Sequence, residues 1–509
     1  MRLLIDERPV SLADLRRIWE EPVEVAIGDT ARKRIEASHA AVCKVLESGT
    51  QVYGVNTGFG SLANVRVSDD ELVHLQENLI RSHTVGVGEL LPDACVRLVM
   101  AMKVIALARG NSGVRPELVD ALCRLIENDI CPCIPAKGSV GASGDLAPLA
   151  HMAGVLLGLG DARVDGEVVT AEAALGRAGL APLQLAPKEG LALLNGTQVS
   201  TALALTALFR AEHIIAAAVT AGAMTADAIK GSDTPFDARI HAARGQPGQI
   251  AVAALLRDLM TGSDIRASHI DCERVQDPYS IRCQPQVAGA CLDAMRHVGD
   301  TLQIEANAVT DNPLVFADAD TILSGGNFHA EPVALAADYL ALAIAETGSL
   351  SERRIALLVD ANFSGLPAFL VRESGLNSGF MAAQIAAAAL ASESKVLAHP
   401  ASVDSIPTAA NQEDHVSMAT AAAWRLHAML DNTANILAIE LLAAAQGIEF
   451  HHPKKSSEPL EQTVARVREI SPSYVEDRSL SGDIRELAAA IDAGDFTRFA
   501  GPILRSFDA

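Results

Sequence analysis

The sequence predicts a mainly α-helical protein in which an N-terminal region of short helices and β-hairpins precedes a long central helical bundle. The first observation is composition. Of the 509 residues, 49% are hydrophobic but only 4% are aromatic, and this mixture of Ala, Leu, Val and Ile favours closely packed helices over an aromatic-rich β-sandwich. The second observation is patterning, because several long stretches between residues 191 and 447 are apolar over much of their surface. Such helices must be buried in a bundle or in an oligomer interface.

The chain divides into three consecutive predicted domains: an N-terminal domain (1–190), a long-helix bundle and oligomer core (191–450), and a C-terminal helical segment (451–509). Hydrophobic periodicity predicts helices in these domains: Leu12–Glu20, Thr30–Ser48, Asp70–Ser82 and Asp93–Arg109, then Ser200–Ile229, Ala330–Val359, Ser378–Ala398 and Ser417–Ala445, and finally Asp483–Asp495. Short strand-like runs suit small hairpins: Gln51–Val55, Gly166–Val169 and Thr321–Ser324.

Charge and cysteine usage narrow the class of protein. The formal net charge of −22 repels nucleic acid and anionic membranes, and no Lys/Arg-rich run offsets it. The first residues lack the apolar segment of a secretory signal, and eight cysteines without such a signal indicate reduced thiols in the cytosol. Cys131-Pro-Cys133 lacks the spacing of a zinc site. We therefore expect a cytoplasmic protein with no nucleic-acid partner, no membrane partner and no metal.

The strongest local signal is the glycine-rich segment from Lys137 to His151, KGSVGASGDLAPLAH. Its glycines break regular structure and allow unusual backbone angles. Asp145 is predicted to cap an apolar helix that tolerates Pro148 in its first turn. Residue order and spacing argue against a phosphate-binding loop, a G-x-S-x-G hydrolase elbow and a dinucleotide-binding turn. Taken alone, the segment is also compatible with a plain glycine-rich helix start.

Residues 138–151 resemble the signature of the aromatic amino-acid ammonia-lyases and aminomutases. Further motifs extend the resemblance in family order: YGVNTGFG (53–60), LNGT (194–197), QDPYSIRC (276–283), NAVTDNP (307–313), GGNFH (325–329) and NQEDH (411–415). Several separated motifs are far more specific than one tripeptide; only the stretch after about residue 447 looks different from the family. The resemblance implies a carbon–nitrogen lyase that is intertwined in a homotetramer, with active sites shared between subunits.

The resemblance also implies a built-in prosthetic group, 4-methylidene-imidazol-5-one, formed autocatalytically from Ala142, Ser143 and Gly144 without a diffusible cofactor. The residue types suit that product. The amide nitrogen of Gly144 must approach the carbonyl of Ala142, and small residues leave that approach open. Loss of water from the Ser143 side chain then leaves an exposed methylidene carbon. Such an electron sink makes an amine a better leaving group, so the fold supplies what a separate cofactor would otherwise bring.

Two loop tyrosines and one arginine are further candidates. Arg282 lies in a Pro-marked loop, and its planar guanidinium suits a carboxylate; the alternative is an ordinary surface arginine. By resemblance, Arg282 holds the substrate carboxylate, Tyr279 removes the β-proton and Tyr53 takes a lid position. A phenol needs nearby positive charge to act as a base, which Arg282 could provide if the loop brings it to Tyr279. Otherwise both tyrosines simply pack loops.

The resemblance to the family motifs implies roles for three more residues. Asn195 resembles the family residue that hydrogen-bonds near the prosthetic group, and its alternative role is that of an Asn-Gly turn residue. Gln276 and Phe328 are expected at the substrate. Their plain alternatives are a loop-capping amide and a core aromatic.

Two positions indicate which amino acid is bound. His83 occupies a place where phenylalanine and tyrosine enzymes of the family carry other residues, and Glu413 stands where those enzymes usually have Gln. A carboxylate and an imidazole can hydrogen-bond an imidazole substrate, whereas a phenyl ring would leave the carboxylate buried and unpaired. The alternative for Glu413 is helix chemistry, with Asn411 as the cap and acids in the first turn.

We therefore predict that the enzyme converts L-histidine to urocanate and ammonia, the opening step of histidine breakdown. The alternative of the same class is a tyrosine or phenylalanine ammonia-lyase, or an aminomutase on the same scaffold. The alternative of a different class is a non-catalytic helical scaffold that never forms the electrophile.

Overall fold

The computed structural model describes residues 2–48, 52, 54–58, 67–68, 71–269 and 275–507. The chain forms two compact units, each assembled from three stretches of sequence. Unit 1 comprises residues 1–206, 299–338 and 400–424, and unit 2 comprises residues 207–298, 339–399 and 425–509. The described residues form 20 α-helices and nine short strands, which confirms the predicted mainly α fold. The division into three consecutive domains stays a prediction.

Unit 1 contains all the strands found in the described residues and the first eight helices. The strands are Arg2–Ile5 (β1), Glu24–Ile27 (β2), Val87–Leu90 (β3), Cys131–Pro132 (β4), Pro135–Lys137 (β5), Asp161–Val164 (β6), Glu167–Thr170 (β7), Leu314–Phe316 (β8) and Thr321–Leu323 (β9). The helices are Leu12–Glu20 (α1), Asp29–Ser48 (α2), Leu72–His83 (α3), Asp93–Ala108 (α4), Pro116–Glu127 (α5), Leu146–Leu156 (α6), Ala171–Arg177 (α7) and Glu189–Leu194 (α8).

Four longer helices contribute residues to both units: Gln198–Ala228 (α9), Gln284–Ala306 (α14), Glu331–Val359 (α15) and Ala419–Glu449 (α18). The remaining helices lie in unit 2: Ala238–Arg244 (α10), Pro247–Met260 (α11), Asp264–Ala267 (α12), Tyr279–Arg282 (α13), Ala361–Ser364 (α16), Met381–Leu397 (α17), Glu458–Ile470 (α19) and Ser481–Asp492 (α20). By length and composition alone, α9, α15 and α18 could cross a membrane, but 94%, 61% and 78% of their most apolar windows are buried within the protein.

The sheets are small. β1 pairs in parallel with β2, β3 pairs antiparallel with β5, and β4, β6 and β7 form a three-stranded antiparallel sheet. The β6–β7 hairpin turns through Asp165 and Gly166, both with positive φ, as a tight two-residue hairpin turn of the primed type requires. β8 and β9 form the predicted hairpin near residue 321.

One predicted strand is wrong. In the run Gln51–Val55, Gly54 and Val55 form a turn and Val52 is irregular, while Gln51 and Tyr53 lie outside the described residues. Gly54 has a φ of +72°, a left-handed angle that interrupts an extended strand. The alternation of apolar residues was too short to outweigh that glycine.

Candidate active site

The Ala142-Ser143-Gly144 tripeptide lies in the loop that joins β5 to α6, and glycine is required at its last position. Gly144 has a φ of +74°, and a Cβ atom there would come within 2.2 Å of the Gly196 carbonyl oxygen. The two glycines form an isolated parallel bridge. The backbone N–H of Asp145 also donates to Gly196 O at 2.8 Å. The close approach of two backbones therefore fixes the end of the tripeptide.

Asp145 anchors this loop in a way that differs from our prediction. It stands at the N-cap position of α6, but its carboxylate makes no capping hydrogen bond to that helix. The buried carboxylate instead accepts hydrogen bonds from Ser139 Oγ (2.9 Å), Ser200 N (2.8 Å) and Oγ (2.9 Å), and Thr420 Oγ1 (2.6 Å). The predicted N-cap position is therefore confirmed, but the carboxylate binds these more distant donors in place of the first backbone N–H groups of α6.

Asn195 reaches the tripeptide from the end of α8. Its side-chain Nδ2 donates to the Ser143 carbonyl oxygen at 3.0 Å. Among the described residues, the buried Oδ1 atom of Asn195 has no hydrogen-bond partner. An unsatisfied buried acceptor is unfavourable, so this atom is suited to a donor from a bound molecule.

A buried lysine lies behind Asn195. Lys103, on α4, donates from Nζ to the carbonyl oxygens of Asn195 (2.7 Å) and Ala192 (3.1 Å). Burial lowers the pKa of Lys103 to about 7, while the negative charge of Asp311 opposes that shift. Sequence reasoning missed this residue, although a lone lysine in an apolar helix is a recognisable signal.

Glu413 contacts the serine of the tripeptide. The Ser143 hydroxyl donates to Glu413 Oε1 at 2.7 Å, and the Thr408 hydroxyl donates to Glu413 Oε2 at 2.6 Å. Glu413 also pairs with Thr408 through an antiparallel backbone bridge. The alternative that placed Glu413 in the first turn of a helix is wrong, since α18 begins only at Ala419.

A cavity of about 450 Å³ opens at the tripeptide within unit 1. It is lined by Ala142, Ser143, Asn195, Asn312, Ser324, Gly325, Phe328, His329, Gln412, Glu413, Asp414 and His415. The structure thus brings together two of the tripeptide residues with three residues predicted to bind substrate: Asn195, Phe328 and Glu413. A largely preformed pocket with a few convergent polar groups is typical of a small-molecule site.

Sequence reasoning missed a histidine pair in this wall. The rings of His329 and His415 stack with centroids 5.9 Å apart and planes inclined by 6°. A ring nitrogen of His329, Nε2, is hydrogen-bonded to the backbone oxygen of His415 at 3.1 Å. Both residues belong to motifs that we used for the resemblance, so their presence in the motifs was the available signal.

His83 is the last residue of α3, in unit 1, and is not among the residues that line the cavity. Its Nδ1 atom is 2.8 Å from the carbonyl oxygen of Leu79 and 3.1 Å from the hydroxyl of Ser82. Nδ1 is therefore occupied locally by the helix end, and Nε2 is the ring nitrogen free of these two contacts. Its role in reading a substrate ring stays a prediction.

Three predicted residues belong to unit 2. Gln276, Tyr279 and Arg282 lie just before or within the short helix α13, and they are absent from the cavity lining. The guanidinium carbon of Arg282 lies 4.5 Å from the centroid of the Tyr279 ring, so the loop does bring the two together. Tyr279 is 71% exposed. Tyr53 lies outside the described residues.

Comparisons with known proteins define the class. A family model described as "Aromatic amino acid lyase" matches residues 10–469. A histidine ammonia-lyase of Legionella pneumophila (strain Paris) is 57% identical over 488 residues, which cover 96% of each chain. A histidine ammonia-lyase of Aromatoleum aromaticum is 58% identical over 489 residues, covering 96% of this chain and 93% of that protein.

Solved structures agree with this assignment. The crystal structure of histidine ammonia-lyase from Trypanosoma cruzi matches with a TM-score of 0.91 and 40% identity, covering 100% of this chain and 97% of that one. The structure of tyrosine aminomutase from Streptomyces globisporus matches with a TM-score of 0.93 and 35% identity, covering 99% of both chains. The chain belongs to the aromatic amino acid lyase family. It is an enzyme, a carbon–nitrogen lyase.

Proposed function

We propose that this enzyme removes ammonia from L-histidine to form urocanate, as the first step of histidine degradation. The observation that carries the proposal is the Glu413 carboxylate, which lies 2.7 Å from the Ser143 hydroxyl in the wall of the cavity. A carboxylate at this point suits a substrate ring that carries N–H groups. The names of the relatives at 57% and 58% identity support the same substrate.

The residues around the tripeptide fit a methylidene-imidazolone prosthetic group made from Ala142, Ser143 and Gly144. The glycine at 144 permits the backbone approach that a Cβ atom would block. Asn195 donates to the Ser143 carbonyl oxygen and keeps a second polar atom without a partner. When formed, the group supplies the electrophile that turns an amine into a good leaving group. The protein supplies binding, orientation and electrostatics.

The chain's own residues would then divide the remaining work. We assign Arg282 to the substrate carboxylate, since a guanidinium binds a carboxylate through two parallel hydrogen bonds. Tyr279 would remove the β-proton, and its contact with Arg282 at 4.5 Å supports this assignment because it keeps the proposed base next to the residue proposed to hold the substrate carboxylate. Tyr53 would close over the substrate as a lid, and Gln276 and Phe328 would contact it.

The substrate ring is the main point of discrimination. We propose that His83 and Glu413 hydrogen-bond the imidazole of histidine. A phenyl or phenol ring in the same place would remove water from Glu413 without replacing its hydrogen bonds, which is unfavourable. Sites of this kind reject substrates that lack the matching polar group by factors on the order of 10⁴.

We further propose that the enzyme is a cytoplasmic homotetramer, in which Tyr279 and Arg282 serve the tripeptide of a neighbouring chain. Exposed apolar side chains along two helices support self-association: Leu335 and Leu342 on α15, and Ile385 and Val396 on α17. Each of these side chains is more than half exposed in the single chain, and burial of such apolar surface would favour association between chains.

One experiment tests the reaction and its closest alternatives. The purified enzyme is incubated with L-His, L-Tyr and L-Phe, and the conjugated acid formed from each is followed by ultraviolet absorbance. We expect urocanate from L-His and little product from the other two. A β-amino acid product would instead indicate an aminomutase, and the absence of product from all three amino acids would favour the non-catalytic scaffold.

A further inference from the structure

The lysine behind Asn195 is an unusual feature of unit 1. Helix α4 is buried along nearly its whole length, and the side chain of Lys103 is only 1% exposed within it. Burying an amino group in apolar surroundings is unfavourable unless it is hydrogen-bonded. An apolar residue would pack in this helix without that unfavourable burial. The two hydrogen bonds that Lys103 makes therefore indicate what the lysine does at this position.

Both hydrogen bonds go to the end of α8. The carbonyl groups in the last turn of a helix lack partners within the helix, and Lys103 Nζ donates to two carbonyl oxygens in this region, those of Ala192 (3.1 Å) and Asn195 (2.7 Å). The amine therefore fixes where α8 ends and where the following residues begin.

Those following residues contact the tripeptide directly. The Asn195 side chain donates to the Ser143 carbonyl oxygen at 3.0 Å. The next residue, Gly196, pairs with Gly144 and accepts the N–H of Asp145. A small displacement of Asn195 and Gly196 would therefore move two of the three tripeptide residues.

We infer that Lys103 is a positioning residue for formation of the electrophile: its two hydrogen bonds hold Asn195 and Gly196 so that Ser143 and Gly144 keep the geometry needed for ring closure. This inference rests on the proposed function. Intramolecular reactions depend strongly on such alignment, and misplacement by about 1 Å can slow them on the order of 100-fold.

The chemistry that Lys103 assists is a double dehydration within the chain. The Gly144 nitrogen forms a bond to the carbonyl carbon of Ala142, and that carbonyl oxygen leaves as water with the amide hydrogens of Gly144 and Ser143, which leaves a double bond between Ala142 C and Ser143 N. The Ser143 hydroxyl then leaves as a second water with the Cα hydrogen of the same residue. No oxidant or reductant is needed, and Lys103 itself is unchanged.

The test measures the loss of two water masses rather than turnover. Wild-type enzyme, Lys103→Met and Lys103→Arg are purified as folded protein, and the peptide between Lys137 and Arg163 is weighed after increasing times of incubation. Lys103→Met keeps a long, unbranched side chain but donates no hydrogen bond. We expect dehydration of this variant to be about tenfold slower than that of the wild type, because the hydrogen bonds that align the tripeptide are lost. Lys103→Arg, which keeps the N–H donors, should recover most of the rate.

A matched control separates positioning from stability. Met100 lies on the same helix and is equally buried, but it is not part of the contacts described above. Met100→Ala should lower the melting temperature through lost packing and leave dehydration per folded molecule at the wild-type rate. Dehydration of folded Lys103→Met at the wild-type rate would overturn the inference, as would equal slowing in Met100→Ala.

Two further outcomes are informative. If Lys103→Met does not fold, Lys103→Gln replaces it, and its shorter side chain, which places the amide donors farther from the two carbonyl oxygens, should give slower dehydration than Lys103→Arg; equal rates for these two would overturn the inference. If the wild-type peptide never loses two waters, the proposed function itself fails, and that result is distinguishable from a failure of Lys103 alone.

Discussion

The Ser143 hydroxyl donates a hydrogen bond to a carboxylate oxygen of Glu413 at 2.7 Å, although the two residues are 270 positions apart in sequence. This contact joins the predicted source of the electrophile to the residue predicted to select the substrate. The two proposed functions therefore lie in one wall of one cavity, and substitutions on either side of the contact test them separately.

Ser143→Ala tests the prosthetic group. Alanine has no hydroxyl to lose as water, so the variant should fold but lose nearly all turnover and the ultraviolet difference absorbance of the dehydrated group. Ser139→Ala is a useful comparison, because it removes a hydroxyl from the same loop that donates to Asp145 instead. Near-normal activity in Ser143→Ala would rule out the proposed mechanism.

Glu413→Gln tests ring recognition. A neutral amide is a weaker acceptor for a ring N–H than a carboxylate, so kcat/KM for L-histidine should fall by roughly tenfold or more. Asp414→Asn removes the same charge from the same cavity, and we expect a smaller loss.

Ser82 and His83 can be replaced by apolar residues in the Glu413→Gln variant. This combined variant should shift substrate preference toward L-Phe or L-Tyr. The change removes polar groups that a phenyl ring cannot satisfy. The quantity to measure is the ratio of the kcat/KM values for two substrates, since a general loss of stability lowers kcat/KM for all substrates alike. An unchanged ratio of kcat/KM for L-histidine to kcat/KM for L-phenylalanine would rule out ring recognition by these residues.

Arg282→Lys tests carboxylate binding. Lysine keeps the positive charge but loses the planar pair of donors, and kcat/KM should fall by a factor corresponding to roughly 1.5–3 kcal/mol. Arg239→Lys is the control, because Arg239 is an arginine of unit 2 whose side chain is 90% exposed. In the wild type, equal kinetics for L-histidine and its amide would exclude the contact.

His151 should make stability depend on pH. Burial lowers the pKa of His151 below its ordinary value of 6.5, and its Nε2 atom accepts the backbone N–H of Gly86 at 3.1 Å. Because the folded state binds a proton less readily than the unfolded state, this contribution is present above pH 6.5 and is lost as pH falls below it. His151→Gln removes the titration, so the difference in melting temperature between wild type and variant should shrink at acidic pH. A constant difference would contradict the expectation.

Asp145→Asn tests the anchor of the loop. The carboxylate accepts four hydrogen bonds in a buried position, and an amide group can accept only at its oxygen. We expect a loss of about 2–4 kcal/mol in unfolding free energy, measured by denaturant unfolding, whereas Asp161→Asn at an exposed position should change it little.

The sequence was informative where local pattern decides structure. The predicted helix Leu12–Glu20 is observed with the same ends, and its start is set by a reciprocal capping box between Ser11 and Asp14. The helix predicted as Ala330–Val359 begins one residue later than expected. Periodicity and capping residues are local, so they can be read from one sequence.

The sequence was less informative where distant segments meet. The N-cap position of Asp145 was predicted, but nothing near it in sequence indicates that Ser200 and Thr420 will donate to its carboxylate. The helix alternative for Glu413 failed for the same reason, since its partner Ser143 lies in a remote loop. Lys103 stands out as a lone lysine in an apolar helix, but its partners could not be predicted because its acceptors are backbone carbonyls, which carry no residue signature.

The interleaving of unit 1 along the chain sets an order of events during synthesis. Its third stretch, residues 400–424, supplies both Glu413 and Thr420, so the contacts of Ser143 and Asp145 with these residues are unavailable while the ribosome is still translating the middle of the chain. Domains that form from one continuous stretch can fold as they emerge. Unit 1 can complete the contacts of the loop that carries Ser143 and Asp145 only after residues 400–424 have been synthesised. Under the proposed function, maturation of the tripeptide would be tied to the arrival of residues 400–424, and a product truncated before them would lack Glu413 and Thr420.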